Sequence, residues 1–167
     1  MKELIALPLL SIVLVVQMAI ASRIPLLSGY ADLMLVTVAA WSLQERAQTA
    51  WHWAIFAGFL VGWVSGVPWG IPVFGYLITV IFARALVRRI WQTPLLGMFV
   101  VVFVSTLIMH LLTIITLRLT GSLLVIGDAL SVVTLPSLFI NLSLALFAFP
   151  ILRDLAVWVY DIEDGDV

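Results

Sequence analysis

The sequence predicts an all-α integral membrane protein, with six transmembrane helices in one compact bundle. Three observations carry this expectation. First, 64% of the 167 residues are hydrophobic and 10% are charged, against roughly 45–50% and about 25% in a soluble domain. Second, a chain this short leaves a large part of any fold as surface, so water cannot be its natural solvent. Third, the apolar residues fall into six runs separated by charges and by Pro/Gly clusters. Disorder is excluded by the same composition. The net charge of −1 gives no reason to attract nucleic acid. The chain contains no cysteine, which removes disulfides and thiolate metal sites.

A helix crossing the hydrocarbon core needs about 20 mostly apolar residues. The first span is 4–21. Lys2 and Ala19-Ile-Ala21 give it some likeness to a cleavable signal peptide, but its run of 18 residues exceeds the usual signal core of about 7–15. The second span is 30–44. Its uninterrupted apolar part, Leu33 to Leu43, rises only ~16 Å. The helix is therefore expected to start upstream near Tyr30, with Asp32 at the outer interface; a re-entrant segment is the alternative. The third span, 50–66, ends in the turn Gly66-Val-Pro68-Trp-Gly70. The fourth, 71–88, ends in Arg88-Arg89, and the fifth, 95–117, is closed by Arg118. Residues 119–131 read as an interfacial stretch or as the extended start of the sixth span, 132–152. That span ends at Arg153-Asp154, leaving 154–167 as a short acidic tail.

Six spans place both termini on one side. That side holds Lys2, Arg46, Arg84, Arg88, Arg89 and Arg153, and the other holds Arg23 and Arg118. The positive-inside bias then makes both termini cytoplasmic. Trp41, Trp51, Trp53, Trp91 and Trp158 fall near inner span ends and Trp69 at the outer turn, as an aromatic belt would.

Few residues are suited to chemistry. The two histidines, His52 and His110, stand in no zinc-binding spacing, and there is no nucleophile elbow, Walker A loop or dinucleotide fingerprint. No catalytic, metal-binding or cofactor-binding residue is predicted, and no cofactor. His110, inside the fifth span, is expected to bond a backbone carbonyl or a neighbouring hydroxyl. The other intramembrane polar residues are Gln17, Asp32, Arg84, Asp128 and Asn141. Ionisable groups at that depth are costly and draw functional attention. Arg84 is expected to snorkel to the inner surface. Asp32 and Asp128 are expected to join Arg23 and Arg118 in an outer ion-pair cluster, and Gln17 and Asn141 to bond between helices. Gly58, Gly62 and Gly66, preceded by Ala54, form a tandem GxxxG that lets another helix approach closely. The helix-packing and partner candidates are therefore Gly58, Gly62, Gly66, Asp32, Asp128, His110 and Asn141.

Three stretches together resemble the rod shape-determining protein MreD family. They are Pro25-Leu-Leu-Ser-Gly-Tyr-Ala-Asp32-Leu-Met-Leu; Ala57-Gly-Phe-Leu-Val-Gly-Trp-Val-Ser-Gly66-Val-Pro-Trp-Gly70 with the following Gly75-Tyr76; and Leu135-Pro-Ser-Leu-Phe-Ile-Asn141, followed by Phe149-Pro150-Ile-Leu-Arg153. Their order and spacing make the resemblance, which extends over nearly the whole chain. The family often carries an acidic residue before the Ser-Gly turn, where this chain has Gly62-Trp63.

The resemblance implies a non-enzymatic scaffold of the bacterial cell-elongation complex, in the cytoplasmic (inner) membrane and in contact with its lipid. It implies binding to an MreC-like protein and, through it, support of a RodA-like glycosyltransferase and a class B penicillin-binding protein in lateral peptidoglycan synthesis. The family's helical arrangement is similar to that of the S components of energy-coupling-factor transporters. A small-molecule (vitamin) binding S component is thus the alternative function. Such components commonly dock through Ala-xxx-Ala in the first span, which Leu4–Ala21 lacks. The outer loops offer a ligand mainly Tyr30, Asp32, Trp69 and Asp128. A channel or secondary transporter would need polar residues and broken helices near the midplane, whereas Pro136 and Pro150 lie near the ends of the sixth span.

Overall fold

The computed structural model describes residues 5–21, 29–47, 49–87, 93–122 and 125–164. Lys2, Arg23, Pro25, Arg88, Arg89, Trp91 and the last three residues lie outside that set. The described chain is helical throughout: α1 (Ala6–Ala21), α2 (Leu33–Ser42), α3 (Ala50–Val64), α4 (Gly70–Val87), α5 (Pro94–Leu119), α6 (Ile126–Asp128), a π-helical segment (Ala129–Thr134) and α7 (Leu135–Asp164). No strand occurs among the described residues. Three helices are long and apolar enough to cross a membrane, Gly70–Val87, Pro94–Leu119 and Ile126–Tyr160, and α1, α2 and α3 are shorter apolar helices.

The last of the long helices departs from its predicted limits. It begins at Ile126 and passes through the π-helical segment, so 119–131 supplies its first turns. It also continues to Asp164, where an acidic tail from residue 154 was expected. The reason is spacing. Phe149, Leu152, Ala156 and Val159 recur on one helical face and are all buried. The Arg153–Asp154 pair is exposed, so it lies beside that face and does not end the helix. Pro136 follows the π-helical segment. It has no N–H to offer, so the carbonyls before it cannot keep a regular i→i−4 ladder.

The most informative element is α2. Met34 through Ser42 are all buried, and α2 packs against α1, α3, α4, α5 and α7. Its ten residues rise only ~15 Å, about half the hydrocarbon thickness. Helix 30–44 is thus realised as a half-length helix enclosed by protein, which is where a helix apolar on all sides belongs. Its N-terminal end lies inside the bundle at buried Asp32, and its C-terminal end leads into half-buried Gln44 and exposed Glu45 and Arg46. Its first N–H and last C=O groups lack partners within the helix.

At the C-terminal end that partner is Arg84, whose guanidinium donates to Gln44 O at 3.0 Å and Ser42 O at 3.5 Å. Gln44 Nε2 donates to Ala40 O at 2.9 Å. Arg84 thus reaches the turn that follows α2, next to the exposed Glu45 and Arg46. The substitution Arg84→Met keeps much of the stem and removes the donors. It is expected to cost about 1–3 kcal/mol by leaving carbonyls unsatisfied, read as a lowered Tm in detergent.

Two of the expected belt tryptophans are core instead. Trp41 on α2 and Trp53 on α3 are buried and stack with ring centroids 4.0 Å apart. Enclosure of α2 turns its tryptophan onto α3. Trp51, Trp69 and Trp158 are exposed.

Helices α3 and α4 approach most closely along the glycine face. A Cβ at Gly58 would run into Val73 Cα and lie 2.7 Å from Val73 N. One at Gly62 would lie 2.5 Å from Trp69 Cβ and 2.6 Å from its Cα. The neighbour is therefore α4 and the turn before it. Gly66 does not share this role: α3 ends at Val64, and no atom lies within 4 Å of a Cβ at Gly66. Gly66→Ala is accordingly expected to leave the Tm unchanged. Gly75 is a close contact outside that face, with Met109 Sδ 2.7 Å from its would-be Cβ.

Candidate functional site

Polar side chains converge where α2 begins. Asp32 stands immediately before the apolar run of α2 and is its N-cap: the carboxylate Oδ1 accepts from Leu35 N–H at 2.9 Å. This is the usual use of aspartate before a helix, since its short side chain reaches an otherwise orphaned N–H. Tyr76 of α4 donates its hydroxyl to Asp32 Oδ1 at 3.1 Å, with Oδ2 at 3.4 Å. Asp32 N–H donates to Asn141 Oδ1 at 2.8 Å, and Asn141 Nδ2 donates to Thr106 Oγ1 at 3.2 Å. Gln17 of α1 accepts Met34 N–H at 2.9 Å. Five helices, α1, α2, α4, α5 and α7, are thereby tied at one point. Asp32, Tyr76, Thr106 and Asn141 are all buried, as satisfied interior polar groups tend to be.

A second cluster adjoins it. Tyr30 N–H donates to Ser137 Oγ at 3.0 Å, and the Tyr30 ring stacks on His110 at 5.3 Å. His110 Nδ1 lies 3.0 Å from Thr134 Oγ1, and that hydroxyl donates to Ala129 O at 3.1 Å, five residues back along the π-helical turn.

The predicted site residues therefore divide. Asp32 and Asn141 meet directly; His110 lies next to them through Tyr30; Gly58 and Gly62 serve the α3–α4 contact. Asp128 does not join: it is exposed on α6, and the expected ion-pair cluster with Asp32 does not form among the described residues. Asp32 instead caps α2, its carboxylate accepting Leu35 N–H and the Tyr76 hydroxyl. Arg23, the cluster's other expected member beside Arg118, lies outside the described residues. Sequence reasoning missed Tyr76, Thr106, Thr134 and Ser137 as partners. Tyr76 and Ser137 do lie in stretches that carry the family resemblance, which was the available signal.

A cavity of about 370 Å³ opens beside this network. It is bounded by the second half of α1, the start of α2, the α3–α4 turn and α5. No group of three or more His, Cys, Asp or Glu side chains suited to a metal occurs among the described residues. The network caps α2 and joins helices. No protein-family model matches the chain, and neither a curated protein nor a solved structure matches it.

Proposed function

We propose that this chain is a non-enzymatic scaffold of the bacterial cell-elongation complex, resembling the MreD family. In this reading it crosses the inner membrane with both termini cytoplasmic, and α2 is enclosed by the other helices. It binds an MreC-like protein and through it supports a RodA-like glycosyltransferase and a class B penicillin-binding protein. Lipid contacts its apolar perimeter, where large side chains such as Trp63, Ile81 and Phe139 are exposed.

One observation carries the reading. The three stretches that bear the resemblance meet at one residue: Asp32 of the first is bonded to Tyr76 following the second and to Asn141 of the third. Gly29 and Tyr30 of the first also touch Pro136 and Ser137 of the third. The motifs thus make sense as parts of one packing arrangement. Polar residues that hold helices together suit a protein whose work is to present a surface.

Depletion of the protein in the rod-shaped bacterium that encodes it tests this. Rounded cells, restored to rods by the wild-type chain, are the expected result; cells that stay rod-shaped on depletion would contradict it. The orientation is checked separately by cysteine labelling. A cysteine at position 68 is expected to label from outside, and one at position 165 only after the membrane is opened.

A further inference from the structure

We propose that the cavity beside Asp32 is a binding site for a small amphipathic amine, an ammonium group carried on an apolar body. This goes beyond the scaffold reading and does not depend on which chains accompany the protein. The cavity's 370 Å³ falls within the roughly 300–1,000 Å³ of small-molecule sites, which are mostly apolar with a few convergent polar groups. Here Gln17, Tyr30, Asp32 and Tyr76 supply the polar groups, while Val61 and Ile71 belong to the apolar wall.

Charge selects the ligand class. Asp32 is 6% exposed, and its carboxylate receives Leu35 N–H and the Tyr76 hydroxyl. A carboxylate offers about four acceptor positions, so capacity remains. Both donors are neutral, and no Lys, Arg or His stands among the residues that line the cavity. A buried charge without an opposite charge is costly. An ammonium group entering the cavity would neutralise it where screening by water is weakest. The ring of Tyr30 adds a face on which a cation can rest.

The test uses the full chain in phosphatidylcholine nanodiscs, with 2-phenylethylamine and its neutral isostere 2-phenylethanol as probes, followed by saturation-transfer NMR. The amine is expected to bind at least about tenfold more tightly than the alcohol, as a hydrogen bond between charged groups implies. Asp32→Asn should abolish that preference while keeping the helix cap, because asparagine caps as well as aspartate. Val61→Trp fills the cavity from its wall, leaves Asp32 in place, and should abolish amine binding. Equal binding of amine and alcohol would overturn the proposal. So would an amine preference surviving Asp32→Asn, undiminished binding to Val61→Trp, or an amine signal no stronger than that of empty discs.

Discussion

Gly58→Leu is expected to be among the most destabilising single changes in the chain, with a loss at or above the upper end of about 1–3 kcal/mol for an overpacked core. The first atom of any side chain placed there meets the α4 backbone: Val73 Cα blocks it, and Val73 N and Cγ2 both lie 2.7 Å away. Backbone cannot rotate aside as a flexible side chain can. The α3–α4 pair must separate, and the separation is passed to Tyr76, one turn further along α4. Gly58→Ala already introduces the clashing atom and should fall between wild type and leucine. Thermal unfolding in detergent gives the ranking. Gly66→Ala, with nothing near it, is the control expected to change nothing, and Gly62→Leu should follow Gly58→Leu through Trp69. An unaltered Tm for Gly58→Leu would mean that α3 and α4 do not pack along this face.

Asp32→Ala carries the second large effect. It removes the cap of α2, about 0.5–2 kcal/mol, and strands the buried hydroxyl of Tyr76, about 1–3 kcal/mol. Asp32→Asn keeps an oxygen for Leu35 N–H and an acceptor for Tyr76, so its cost should stay below about 1 kcal/mol. Adding Tyr76→Phe to Asp32→Ala removes the stranded hydroxyl and should recover part of the loss, because an unmade buried hydrogen bond costs more than an absent pair. Chemical denaturation of the four proteins reads the differences. Equal stability of the alanine and asparagine variants would show that Asp32 does not cap α2.

The long helices were legible because a run of apolar residues between charges has few other meanings in so uncharged a chain. Enclosure was not legible. Residues 33–43 read as a span because a helix surrounded by protein and one surrounded by lipid have the same apolar composition. Their short length was the only sign of the half-length helix found. Asp32 was noticed for its charge and assigned to an ion-pair cluster; its place directly before an apolar run was the capping signal. Trp41 and Trp53 were read as belt residues by position along the spans, which says nothing about which way a ring faces. Arg153 and Asp154 looked like a stop, yet the spacing of Leu152, Ala156 and Val159 continues the helix past them. The hydroxyl partner of His110 and the interhelical bonds of Gln17 and Asn141 were anticipated in kind. Their identities depend on contacts more than 15 residues apart in sequence, which no local pattern encodes.

The most direct measurement of the central claim is affinity purification of the tagged chain from its native membranes, in mild detergent, with mass spectrometry of what accompanies it. The scaffold reading predicts an MreC-like protein, with RodA-like glycosyltransferase and class B penicillin-binding protein recovered through it. Recovery of a pair of ATPases with a bound vitamin, and no wall-synthesis chain, would contradict it and favour the transporter S component.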